Sequence, residues 1–101
     1  MEELRQNIAG ILAGGLEAEV WPRAGTSEEV NAIVRRLQVE AGEDLARKLA
    51  IAGFTDHTID VEGMPQACET CMYYKIHARF CDLPELMLPV QPQWSCRLWR
   101  I

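Results

Sequence analysis

Residues 68–96 read CETCMYYKIHARFCDLPELMLPVQPQWSC, and they hold every cysteine of the 101-residue chain. The spacing is Cys-x2-Cys-x9-Cys-x14-Cys. Cys68 and Cys71 lie within one turn and can grip a common centre, whereas Cys81 and Cys96 must be brought to it. The nine residues between Cys71 and Cys81 would span ~30 Å as a strand at ~3.3 Å each, and ~13 Å as a helix. A shared site therefore requires residues 72–80 to double back. The alternation of Tyr74, Ile76, Ala78 and Phe80 with Lys75, His77 and Arg79 is that of one straight strand. The shared site overrides it, so a tight hairpin or compact loop is expected, with Tyr73 or Tyr74 approaching Phe80 over the sulfurs.

The surroundings of the cysteines say what they are for. Beyond residue 60 lie four of the five prolines, both tyrosines and two of the three tryptophans. Such a tail forms no long regular element and needs a staple. Met-Glu-Glu at the start has the wrong sign for a signal peptide, and Ile8–Leu16 is too short and Gly-rich to span a bilayer. A cytoplasmic protein is expected, and in a reducing compartment four cysteines favour metal ligation over two disulfides.

Two metal readings stay open. Structural zinc held by four cysteines stabilises core-poor modules, but its usual layout has two close-spaced pairs and this chain has one. A [4Fe–4S] cube takes its thiolates from four separate irons, so it tolerates one pair and two scattered cysteines, and it favours an apolar, aromatic shell. Charge does not choose, since four thiolates with Zn²⁺ or with a 2+ cube both total −2. Lys75, Arg79, Arg97 and Arg100 would offset either. His77 is expected to be a solvated loop residue, because four cysteines complete a site, and His57 a surface or capping group.

The first part of the chain differs in kind. Residues 1–62 hold twelve acids against six bases, and residues 63–101 three against four, within a net charge of −5. The acidic part argues against a nucleic-acid binder, which needs clustered Lys and Arg. One domain of this length buries roughly 65% of its unfolded surface and has room for a core.

Helices are expected at residues 3–13, with Leu4, Ile8, Ile11 and Leu12 on one stripe, and across 27–52, where Gly42 bends or splits the run. Thr26-Ser27-Glu28-Glu29 is a capping box, and Gly53 is placed as a left-handed C-terminal cap. Between the helices, Trp21 is expected to pack on the core. A helix-turn-helix over Leu45–Ile59 is disfavoured, because Thr55-Asp56-His57-Thr58 has no Lys or Arg to read bases. Phosphate loops, dinucleotide fingerprints, metalloprotease helices and nucleophile elbows are all missing, so no catalytic residue is assigned and an enzyme is not expected.

Part of the chain resembles the high-potential iron–sulfur proteins, which hold one [4Fe–4S] cube. Cys68-Glu69-Thr70-Cys71-Met72-Tyr73-Tyr74 looks like that family's Cys-x2-Cys followed by aromatics. Cys81-Asp82-Leu83 is similar to its third ligand. Val90 and Trp94-Ser95-Cys96-Arg97-Leu98-Trp99 resemble its Trp, fourth ligand and later Trp. The likeness covers about a third of the chain. Ser95 is inserted between Trp94 and Cys96, Gln93 stands where a glycine is expected, and the second loop is short. The helical part has no counterpart, and that family is exported.

The resulting expectation is one α+β domain over residues 1–101. Residues 1–62 form a helical part, and residues 63–101 a proline-rich, metal-stapled part of loops with a short hairpin. Cys68, Cys71, Cys81 and Cys96 bind one [4Fe–4S] cluster, with Zn²⁺ as the alternative, and Tyr73, Tyr74, Phe80, Trp94 and Trp99 line it. The function expected is a possible electron carrier. The alternative is a zinc- or cluster-stapled interaction module, an adaptor or inhibitor without a redox role. In either case the acidic helices would meet a protein partner.

Overall fold

The Thr26 hydroxyl accepts the Glu29 backbone N–H at 3.1 Å, and the Glu29 carboxylate accepts the Thr26 N–H at 3.0 Å. This reciprocal cap starts helix α2, Ser27–Arg36, in a computed structural model that describes residues 1–101. The helix widens into one π turn over Leu37–Ala41 and breaks at Gly42, whose φ of 54° is left-handed. Asp44 then caps helix α3, Leu45–Ala52, by accepting the Arg47 N–H. Helix α1, Glu2–Ala13, precedes both.

Five short strands follow: β1 Ile59–Val61, β2 Met64–Gln66, β3 Tyr74–Lys75, β4 Phe80–Cys81 and β5 Leu88–Pro89. β1 and β2 form one antiparallel hairpin, and β3-β4-β5 a second antiparallel sheet. The protein is a small α+β domain with three α-helices and two small sheets. The first hairpin begins inside the region expected to be helical. Its two-residue turn, Glu62-Gly63, has both φ angles positive (52° and 84°), which matches the right-handed twist of the paired strands.

Helix α3 is the centre of the fold. Leu49, Ala50, Ile51 and Ala52 are all buried, and Leu49 and Ile51 pack in one core with Ile8, Leu37, Phe54, Leu86, Val90, Trp94 and Leu98. A helix end leaves carbonyls without partners, and distant groups satisfy these. Glu19 N–H donates to Ala50 O at 2.8 Å, and Arg97 N–H to Ala52 O at 2.9 Å. The Arg97 side chain donates to Ile51 O at 3.0 Å. Gly53 follows with φ 69°, and a Cβ there would lie 2.4 Å from Glu19 O. Only glycine fits both the backbone turn and the close approach.

Two expectations are corrected. Leu4 is left 38% exposed, and Arg5 takes the core face of α1 beside Ile8. Arg5 donates to the carbonyls of Val90, Ala78 and Arg79 and pairs with Glu2, so burying it is compensated. Trp21 is 60% exposed instead of packed on the core. Its ring lies over the Arg23 guanidinium, 5.8 Å from centroid to Cζ.

Candidate metal centre

Cys68 opens a single 3-10 turn, Cys68–Thr70, and Cys71 closes it by donating its N–H to Cys68 O at 3.0 Å. The C-terminal segment holds this turn through hydrogen bonds. Cys68 N–H donates to Trp94 O at 2.6 Å, Glu69 N–H to Pro92 O at 3.1 Å and Met72 N–H to Arg100 O at 2.8 Å. The Trp99 indole N–H reaches Ala67 O and Thr70 Oγ1, both at 3.0 Å.

Chain reversal brings the third cysteine. β3 and β4 pair antiparallel with Tyr74 opposite Cys81 and Lys75 opposite Phe80, so residues 72–80 do double back. The fourth cysteine is set by a bridge between Thr55 and Ser95. It joins the segment after α3 to the residue before Cys96 through N–H to O distances of 2.8 and 3.2 Å.

All four cysteines line one partly enclosed cavity, whose remaining walls are Phe54, Tyr74 and Trp99. The thiols are all free, with Cys68 and Cys96 buried. No three His, Cys, Asp or Glu side chains are grouped as a single metal ion would need. A tetrahedral zinc places each sulfur ~2.3 Å from the ion, which puts the sulfurs only ~3.8 Å apart.

Burial favours the neutral form of the thiols. Burial first, then the neighbouring cysteines, push the Cys68 thiol well above its ordinary pKa. Burial pushes Cys81 up to about 11 and Cys96 up to about 12. Were the four sulfurs to ionise together in this apolar cavity, positive charge among them would be needed. The backbone amides of Leu83 and Leu98 act in the opposite sense, holding the Cys81 and Cys96 thiols down. Neither amide donates to a backbone carbonyl.

The expected lining residues divide. Tyr74 and Trp99 are on the wall, whereas Tyr73, Phe80 and Trp94 are not. Neighbours on a strand face opposite ways, so Cys81 turned inward carries Phe80 outward. Trp94 is 2% exposed within the core and serves the site through its carbonyl. His77 and His57 are exposed.

The expected counter-charges are engaged elsewhere in three cases. Lys75 pairs with Asp82 at 3.6 Å, Arg79 with Glu2 at 3.5 Å and Arg97 with Glu19 at 3.5 Å. A further cation beside Cys96 is Arg23. Its Nη2 donates to Cys96 O at 2.7 Å and Ser95 Oγ at 2.8 Å, and its Nε to Gln66 Oε1 at 2.9 Å. Its Nη1 is buried without a partner. A buried donor left unpaired costs about 1–3 kcal/mol, more if charged.

Phe54 and Arg23 are the site residues that cysteine spacing does not indicate. An aromatic just past a left-handed glycine cap is a signal for the first. Nothing local marks the second, because its partners lie 43 to 73 positions away.

No protein-family model, curated protein or solved structure matches the chain.

Proposed function

We propose that the protein is a small cytoplasmic iron–sulfur protein that holds one [4Fe–4S] cluster on Cys68, Cys71, Cys81 and Cys96 and carries single electrons. The observation that supports this most is the cavity. Four free thiols from three separate segments share it, and its other walls are aromatic. Cys68, Cys71, Cys81 and Cys96 would hold the cluster, which would supply a one-electron couple for exchange with a partner protein.

The chain's own groups set the terms of that exchange. Phe54, Tyr74 and Trp99 keep the surroundings apolar and poor in water, which disfavours added negative charge and makes oxidation of the 2+ core easier than in a solvent-exposed site. The Leu83 and Leu98 amides and Arg23 oppose this by stabilising charge on sulfur. No helix is long and apolar enough to cross a membrane. The partner would be a one-electron redox protein, met through the acidic helical part, where Glu28, Glu43 and Asp44 are exposed.

Voltammetry of anaerobically purified protein, with electron paramagnetic resonance of each redox state, tests this reading. A reversible one-electron oxidation with a paramagnetic oxidised form is expected. A cluster that decomposes in both directions, in a protein that forms a stable stoichiometric complex, would make the metal a staple and binding the function.

A further inference from the structure

Arg23 belongs to the link between α1 and α2, yet it ends beside the last cysteine. Three hydrogen bonds of 2.7–2.9 Å, to Cys96 O, Ser95 Oγ and Gln66 Oε1, fix the plane and direction of its guanidinium. The Trp21 ring lies over one face. Nη1 is the one buried side-chain nitrogen or oxygen in the molecule without a hydrogen-bond partner. A guanidinium stays charged in a protein, so the fold carries a fixed positive charge with an unspent donor next to Cys96.

We propose that Arg23 tunes the centre, its Nη1–H donating to sulfur at the Cys96 corner of the loaded cavity and its charge raising the reduction potential. This rests on the cluster reading above. Gaining an electron makes the cluster and its thiolates more negative, and a nearby fixed cation stabilises that state more than the oxidised one. A hydrogen bond to a cluster sulfur acts in the same direction. The residue is a positioning and charge-balancing group supplied by the helical part, not a ligand.

The test compares the wild-type protein with Arg23→Gln and Arg23→Lys by iron content, thermal melting and voltammetry. Arg23→Gln removes the charge while keeping a polar side chain. Its potential is expected to fall by about 59 mV, a tenfold change in a one-electron equilibrium, with iron content kept. Arg23→Lys, which keeps the charge without the fork, should recover part of the shift. A purely structural Arg23 would lower the melting temperature of Arg23→Gln and leave the potential unmoved, which overturns the proposal.

If Arg23→Gln does not load, the wild-type protein grown with isotopically labelled arginine decides by pulsed electron paramagnetic resonance. A nitrogen coupling to the paramagnetic cluster supports the contact, provided that it is lost in Arg23→Lys or, where that variant also fails to load, persists in Arg97→Lys. Its absence in wild type refutes it. A wild-type protein that binds only zinc fails the cluster reading and this proposal together. Loaded protein with an unmoved potential fails this proposal alone.

Discussion

The helical region from Thr26 to Phe54 and the cysteine region from Gly63 to Ile101 are built by different means. The first is organised locally: a capping box, an Asp44 cap and a glycine stop bound two helices that bury Ile33, Leu37, Leu49 and Ile51. The second has strands of only two or three residues and is held by bonds between distant segments, such as Cys68 N–H to Trp94 O and Met72 N–H to Arg100 O. Helix-forming segments need one another mainly for packing. The tail depends on contacts between distant segments, and the proposed cluster on its four thiols would cross-link them.

The largest expected break in this comparison is Cys81→Ser. It removes a thiolate from β4, so iron content should fall close to zero and amide protection should drop throughout residues 63–101. Residues 27–52 should stay better protected, as read by hydrogen exchange. Equal loss in both regions, or unchanged metal content, would show that the two are not held differently. Leu49→Ala comes next. Leu49 is fully buried, and its truncation should cost about 2–5 kcal/mol in denaturant unfolding of the loaded protein. Because Leu49 shares its core with Phe54 and Trp94, the tail should lose stability too, while iron stoichiometry is kept.

How much was legible follows the same divide. The Thr26 cap, the Gly42 break and the Gly53 stop are local chemistry, and each is readable within a few residues. The reversal of residues 72–80 was readable only because four thiols were assumed to meet, since the alternation from Tyr74 to Phe80 by itself describes a straight strand. Leu4 and Trp21 lie on the surface against expectation, and Arg5 takes the buried face instead. The carbonyls that satisfy Arg5 lie 73 to 85 positions along the chain, so nothing near Arg5 announces that it can be buried. Trp21 has Arg23 to cover and is not needed in the core. The β1–β2 hairpin is not legible in the sequence because Glu62-Gly63 is a weaker turn signal than Asn-Gly or Asp-Gly. At the site, inward and outward facing on β4 could not be assigned before the register placed Cys81 opposite Tyr74.

Two smaller effects sharpen the contrast. Thr26→Ala removes the side-chain half of the capping box and should cost about 1 kcal/mol, with no change in metal content or absorption. The smallest is a pH effect at Glu19, which lies outside both regions and joins them through Arg36 and Arg97. The hydrogen bond from Arg36 holds its carboxyl below the ordinary value of 4.5. A group with a depressed folded pKa contributes stability above its unfolded pKa and loses it as pH falls through the folded one. Stability should therefore drop below pH 4.5, and Glu19→Gln should flatten that acid limb. The side chain is 40% exposed, so salt should weaken the effect.

Iron, zinc and acid-labile sulfide analysis of protein purified anaerobically from iron-replete cells, with its visible absorption spectrum, tests the central claim most directly. About four irons and four sulfides per chain with broad absorption in the blue are predicted. Colourless protein with one zinc per chain would contradict the account and make the cavity a structural zinc site.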